Sequence, residues 1–144
     1  MYSRLAEIKN IISTHRPHIL GISEANLKDN NHDKNICSIP DYSLHTCPVS
    51  QNGMIRLVVY IHKDITFKIR RDLMSSDLCS VWIEAGLKNK RKILINQFYR
   101  EWQQLGVQNT FDVTEQLTRW DKHLHTWERA LNTGPEVICT GDYN

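Results

Sequence analysis

No apolar run in the 144 residues comes near the roughly 20 that a helix needs to span a bilayer, so no membrane-spanning helix is expected. The four cysteines, Cys37, Cys47, Cys79 and Cys139, make no CxxC pair and do not cluster with histidine, which argues against a zinc site. No signal peptide follows Met1, where the chain runs straight into charged, amphipathic sequence. Reduced thiols in a soluble, intracellular chain are therefore expected, not a secreted disulfide scaffold. A net charge of +2 is too small to indicate nucleic acid by itself, because dedicated binders concentrate basic residues in a patch or run. Two basic clusters, Lys88-Asn89-Lys90-Arg91-Lys92 and Lys68-Ile69-Arg70-Arg71, read either as solvated hairpin ends or as phosphate contacts. There is no internal repeat, low-complexity tract or linker, so the chain is one domain or part of one.

The apolar residues that are present change period along the chain. Leu5, Ile8, Ile11 and Ile12 predict an amphipathic helix from about Ser3 to Thr14, with Ser3 as its N-cap. Pro17 closes it by disfavouring helical geometry at Arg16. Ile19-Leu20-Gly21-Ile22 reads as a buried strand and residues Asn26 to Asn35 as a polar surface loop. Further strands are expected at Tyr42 to Cys47, Ile55 to Ile61 and Thr66 to Arg70. Val81 to Ala85 and Ile93 to Tyr99 flank a Lys/Asn/Arg turn and predict an antiparallel hairpin. Leu117, Trp120, Leu124, Trp127 and Leu131 then step by helical spacing over about Val113 to Asn132, predicting a buried stripe. Thr133-Gly134-Pro135 ends that helix and a last strand, Val137 to Cys139, follows. The element order predicts mixed α/β layering.

Three strand ends carry the residues with chemistry. Glu24 follows the first strand, where a carboxylate either caps a turn or offers oxygen to a hard cation such as Mg²⁺. Tyr99-Arg100 ends a long strand, where the phenol is either a half-buried rim aromatic or a hydrogen-bonding group for phosphate or water. Gly141-Asp142-Tyr143-Asn144 ends the last strand. Its Asp and Asn suit a purely local Asx turn, or an acid that readies water beside an amide that donates to phosphate.

Taken in order, Arg16-Pro17-His18-Ile19-Leu20-Gly21-Ile22-Ser23-Glu24, the strand ending at Tyr99-Arg100-Glu101-Trp102 and the closing Gly141-Asp142-Tyr143-Asn144 resemble the endonuclease/exonuclease/phosphatase superfamily. The nearest resemblance is to the apurinic-endonuclease-like domain at the front of non-LTR retrotransposon polyproteins. It covers almost the whole chain, at about the first two-thirds of the family domain, with Tyr143 where Phe is more usual. It implies a four-layer α/β/β/α sandwich of two mixed sheets, incomplete here, and hydrolysis of the DNA phosphodiester backbone with Mg²⁺ or Mn²⁺. By position, Glu24 would be the metal ligand and Tyr99 would contact the scissile phosphate or its water. Asp142 would orient or deprotonate the attacking water, and Asn144 would bind a phosphate oxygen. The resemblance also implies a reverse transcriptase domain downstream, and nuclear access if chromosomal DNA is the substrate.

An upstream strand bearing Asn and a closing Ser-Asp-His stretch are expected to lie outside residues 1–144, and none of the seven histidines has the matching context. His123 and His125 are expected at the margins of the second helix or in solvent. The 144-residue chain is accordingly expected to be inactive alone and poorly soluble or partly disordered. Two alternatives stand beside the nuclease reading. One is a non-catalytic relic or domesticated protein that keeps the fold for binding. The other is a phosphatase or deadenylase of the same superfamily, against which the Tyr-Arg-Glu-Trp run argues.

Overall fold

The first apolar stripe forms helix α1 (Leu5–His15), with Ile8 and Ile12 buried, in a computed structural model that describes residues 1–50, 53–87, 89, 91–100 and 113–143. A 3-10 turn, Tyr2–Arg4, precedes it, and Arg4 rather than Ser3 takes the N-cap position without a side-chain cap. Ser3 is drawn into the turn that the Arg4 N–H closes on the Met1 carbonyl at 2.9 Å. At the other end Arg16 turns left-handed (φ 43°) and its N–H returns to the Ile12 carbonyl, directly before Pro17. The expected helix stop is thus realised as a left-handed cap.

Two sheets follow. β1 (Ile19–Ile22), β5 (Val58–His62) and β3 (Tyr42–Thr46) form an antiparallel sheet in the order β1-β5-β3, with the apolar β5 in the middle. β6 (Phe67–Ile69), β7 (Ser80–Gly86), β8 (Lys92–Tyr99) and β9 (Glu136–Asp142) form the second in sequence order. The β7–β8 hairpin is antiparallel as expected, whereas β8 and β9 run parallel. A parallel pair needs a long crossover, and helix α3 (Val113–Leu131) lies within it. Among the described residues the pairs of the first sheet are antiparallel, and the parallel pair that makes a sheet mixed lies in the second.

Strand alternation assigns the layers. Val81 and Ile83 of β7 join the large core shared with Val59, Ile61, Ile8 and Ile12, while Trp82 between them packs with Leu73, Leu94 and Ala130 of α3. The result is α1, sheet, sheet, α3: a mixed α+β fold in four layers.

Three local expectations are corrected. Asn26 to Asn35 is not all loop: it holds β2 (Leu27–Lys28) and the start of α2 (Asn31–Ile36). Asn30 caps α2 by accepting from the Asp33 N–H at 2.7 Å, and Asp33 Oδ2 accepts from the Lys28 N–H at 3.0 Å, a local network that a polar composition conceals. The strand expected from Ile55 to Ile61 is split. β4 (Met54–Ile55) pairs with β2 as a separate two-stranded sheet, and after Arg56-Leu57 the chain resumes as β5 of the three-stranded one. In α3 the buried residues are His123, Thr126 and Ala130, while Leu117, Leu124 and Leu131 are exposed. The helix presents the face next to the leucine row, because stacking on Phe98 at 3.8 Å seats His123 against β8.

Candidate active site

β1 delivers Glu24 into a strained turn. Glu24 and Asn26 both adopt left-handed geometry, φ 53° and 51°, a conformation that L residues hold only where the surroundings over-determine it. The constraint is visible: the Ala25 N–H between them donates to the Arg56 carbonyl at 2.9 Å. Ala25 is fully buried, whereas the Glu24 side chain is 66% exposed. The turn therefore pushes one carboxylate outward from the end of the first sheet.

β8 delivers Tyr99 from the second sheet, and the two meet. The Tyr99 hydroxyl donates to Glu24 Oε1 at 2.9 Å and accepts from Arg56 Nη2 at 2.7 Å. These directions are forced, since a guanidinium only donates and an ionised carboxylate only accepts. Arg56 Nη2 lies 3.9 Å from Glu24 Oε1, and its guanidinium carbon sits 5.0 Å from the Tyr99 ring centre. Burial is the largest influence on the phenol, followed by the hydrogen bond to Glu24, and together they push its pKa up to about 12 against a smaller opposing pull from Arg56. Tyr99 stays protonated throughout the neutral range.

Asp142 reaches the same end of the second sheet. It is the register partner of Tyr99 across the parallel β8–β9 pair, and its carbonyl accepts from the Arg100 N–H at 2.9 Å. Gly141 makes this approach possible: at φ 141° a Cβ would fall 1.8 Å from the Phe98 carbonyl oxygen, a clash with backbone that cannot yield. Glu24 and Tyr99 are thus in contact, and Asp142 is on the strand beside Tyr99. Asn144, Glu101 and Trp102 lie outside the described residues.

Sequence reasoning missed Arg56. Its residue is only 7% exposed, among wholly apolar neighbours from Ile55 to Ile61. A lone arginine inside such a run is the signal that could have found it, because a buried charge requires a partner. His123 was also misplaced: it is 1% exposed, not marginal, and burial depresses its pKa to about 4. Arg70, from a cluster read as a hairpin end or phosphate contact, is engaged internally by Asp72 at 2.7 Å and Glu84 at 2.9 Å.

Among the described residues no three Asp, Glu, His or Cys side chains converge to hold an ion. Mg²⁺ does not require such a cluster, because it keeps several waters and takes one or two carboxylates plus substrate phosphate. The exposed Glu24 carboxylate is of that kind. No described helix is long and apolar enough to cross a membrane.

Comparison with solved structures places the fold. The endonuclease domain of TRAS1, a telomere-specific non-LTR retrotransposon, superposes with a TM-score of 0.66 at 14% identity, over 96% of this chain and 54% of its own. An endonuclease/exonuclease/phosphatase family protein from Bacteroides thetaiotaomicron gives 0.58 at 16% identity, over 99% of this chain and 54% of its own. The chain thus spans about half the length of these structures. No curated protein sequence matches it. The Endonuclease/Exonuclease/phosphatase family model, in contrast, matches residues 1–144. On that match the chain belongs to the endonuclease/exonuclease/phosphatase family.

Proposed function

We propose that this chain carries part of a phosphodiester-hydrolysing centre, that of the DNA-nicking endonuclease domain of a non-LTR retrotransposon polyprotein. The observation that carries the reading is the Glu24–Tyr99–Arg56 contact, which joins the ends of two sheets beside Asp142. Family members are in general hydrolases of phosphodiester or phosphate bonds and generally depend on a divalent metal. The likeness to a retrotransposon endonuclease supports a nucleic-acid substrate.

Each side chain has a task in this reading. Glu24 would hold Mg²⁺ or Mn²⁺, which supplies neutralisation of the charge that grows on the phosphoryl oxygens. Tyr99, protonated throughout the neutral range, is a hydrogen-bond donor and not a base; its single proton, given to Glu24 Oε1 here, would turn to phosphate or water once Glu24 holds the metal. Arg56 takes a lone pair of the phenol oxygen, which fixes the direction of the tyrosine proton. Asp142 orients the attacking water and accepts its proton. Water oxygen bonds to phosphorus, the ester P–O bond breaks, and the leaving alkoxide takes a proton from solvent. Asn144 would donate its amide N–H to a phosphate oxygen. In the polyprotein, a reverse transcriptase would use the nick, and cutting chromosomal DNA requires access to the nucleus.

The test, run on a chain that includes the Asn-bearing strand and the Ser-Asp-His stretch expected outside residues 1–144, is conversion of supercoiled plasmid to open circle in Mg²⁺ or Mn²⁺. Asp142→Ala and Glu24→Gln are expected to cut at least about 100-fold more slowly than the parent, the loss typical when a positioned acid–base or charge-stabilising group is removed. A parent no faster than Asp142→Ala would count against the reading. DNA binding without cutting would favour the binding-only alternative.

A further inference from the structure

Cys47 follows β3 of the first sheet and Cys79 precedes β7 of the second, and their sulfurs lie 2.9 Å apart in the shared core. That separation is about 0.9 Å longer than a disulfide bond. The residues are 32 apart in sequence and are 2% and 7% exposed. Both are tied to the candidate active site through their backbones. The Cys79 carbonyl accepts from the Tyr99 N–H at 2.9 Å, and the Cys47 N–H donates to the carbonyl of Leu57, next to Arg56, at 3.1 Å. Each also borders a cavity. Cys47 lines a cleft of about 560 Å³ with Asp29, Lys34, His45 and Arg71. Cys79 lines a smaller one, about 20 Å³, with Tyr99 and Arg100. The other two cysteines are placed differently: Cys139 Sγ donates to Asn96 Oδ1 at 3.8 Å, and Cys37 is wholly buried, its carbonyl accepting from the Tyr60 hydroxyl.

We propose that Cys47 and Cys79 form an oxidation site, which a small-molecule disulfide such as oxidised glutathione converts to an intramolecular disulfide fastening the two sheets behind the Arg56–Tyr99 contact. The cleft at Cys47 would admit the oxidant; Lys34 on its lining is already paired with Asp29, and Arg71 offers a cation to a glutathione carboxylate. Cys47 loses its proton and attacks one sulfur of the oxidant; the S–S bond breaks and one glutathione leaves as thiolate, which takes up a proton. Cys79 then loses its proton and attacks the mixed disulfide at the Cys47 sulfur, and the second glutathione leaves in the same way. Two electrons pass from the protein to the oxidant, and two thiols of glutathione are produced. The inference does not depend on the hydrolase reading, because its readouts are chemical.

The experiment incubates the purified chain with oxidised glutathione, blocks remaining thiols, digests it without reduction and sequences the linked peptides by mass spectrometry. The expected product joins Cys47 to Cys79, is reversed by dithiothreitol, and is lost in both Cys47→Ser and Cys79→Ser but kept in Cys37→Ser. Oxidation is expected to raise Tm by roughly 10 °C, from cross-linking a loop of this size in the unfolded chain. Links that instead join Cys37 or Cys139 would overturn the proposal. So would a native chain that forms no link under conditions that link the urea-unfolded chain, or an oxidised chain with unchanged Tm.

Discussion

Arg56 and Tyr99 show how one buried contact sets the energetics of its neighbours. The arginine side chain is 9% exposed and its Nη2 rests on the Tyr99 oxygen, whereas Glu24 is largely in solvent. Its pairing with Glu24 is therefore screened and weak, and the phenol is the acceptor that matters. Tyr99→Phe removes that acceptor and leaves a buried charged donor unmatched, at an expected cost of about 1.5–3 kcal/mol. Arg56→Met removes donor and charge together with little loss of side-chain length, and should cost less than Tyr99→Phe. The double variant is expected to match Arg56→Met, since the two positions share one interaction. Urea unfolding of the three variants checks this; additive losses would show that Arg56 does not depend on the phenol. The arginine was legible only as an oddity within an apolar run, and its partner, 43 residues away, could not be read from spacing.

At the scale of elements, α3 shows a periodicity that was right in length and wrong in direction. The helix runs over Val113–Leu131, within a residue of the expected span. Yet the sheet takes up His123, Thr126 and Ala130, because His123 stacks on Phe98 and lies in a ring of aromatic side chains with Trp120, Trp127 and Tyr143. Among the described residues neither His123 ring nitrogen has a hydrogen-bond partner. Its folded-state pKa, about 4, is depressed below the unfolded value near 6.5. Between these values the unfolded chain binds the extra proton, so the stability contributed by neutral His123 is present above pH 6.5 and lost as pH falls towards 4. The full loss is about 3 kcal/mol. His123→Phe keeps the stacking and cannot titrate; its Tm should fall less than that of the parent between pH 6.5 and 4. Parallel pH dependences would sink this account. A histidine flanking an apolar row gave no warning of the burial, because helical spacing identifies faces and not which face a sheet will choose.

The whole molecule is held by a close approach of its two sheets. Gly21 of β1 faces Gln97 of β8 so tightly that a Cβ there would lie 2.1 Å from the glutamine Oε1, and the Glu24–Tyr99 contact sits at the ends of these same two strands. The outer side of the molecule is less well matched to water. Leu117, Leu124 and Leu131 of α3 are 58%, 45% and 56% exposed. Exposed apolar surface of this kind promotes association. Leu124→Glu is expected to lower light scattering at high protein concentration while changing stability by no more than about 0.5 kcal/mol, as surface substitutions generally do. A large fall in Tm would show instead that Leu124 belongs to the core.

The sequence by itself determined the first and last helices, the β7–β8 hairpin and the three strand ends at which Glu24, Tyr99 and Asp142 stand, because periodicity and turn chemistry act within a few residues. Their order along the chain also carried the family resemblance, which the match over residues 1–144 bears out. The break at Arg56, the buried face of α3 and the meeting of Cys47 with Cys79 were decided only by the tertiary structure. In each case the deciding partner lies across a sheet or across the core. Hydrophobic periodicity identifies faces, but not which face is buried or against what; Glu24 and Tyr99, 75 residues apart, come into contact only when two sheets close on each other.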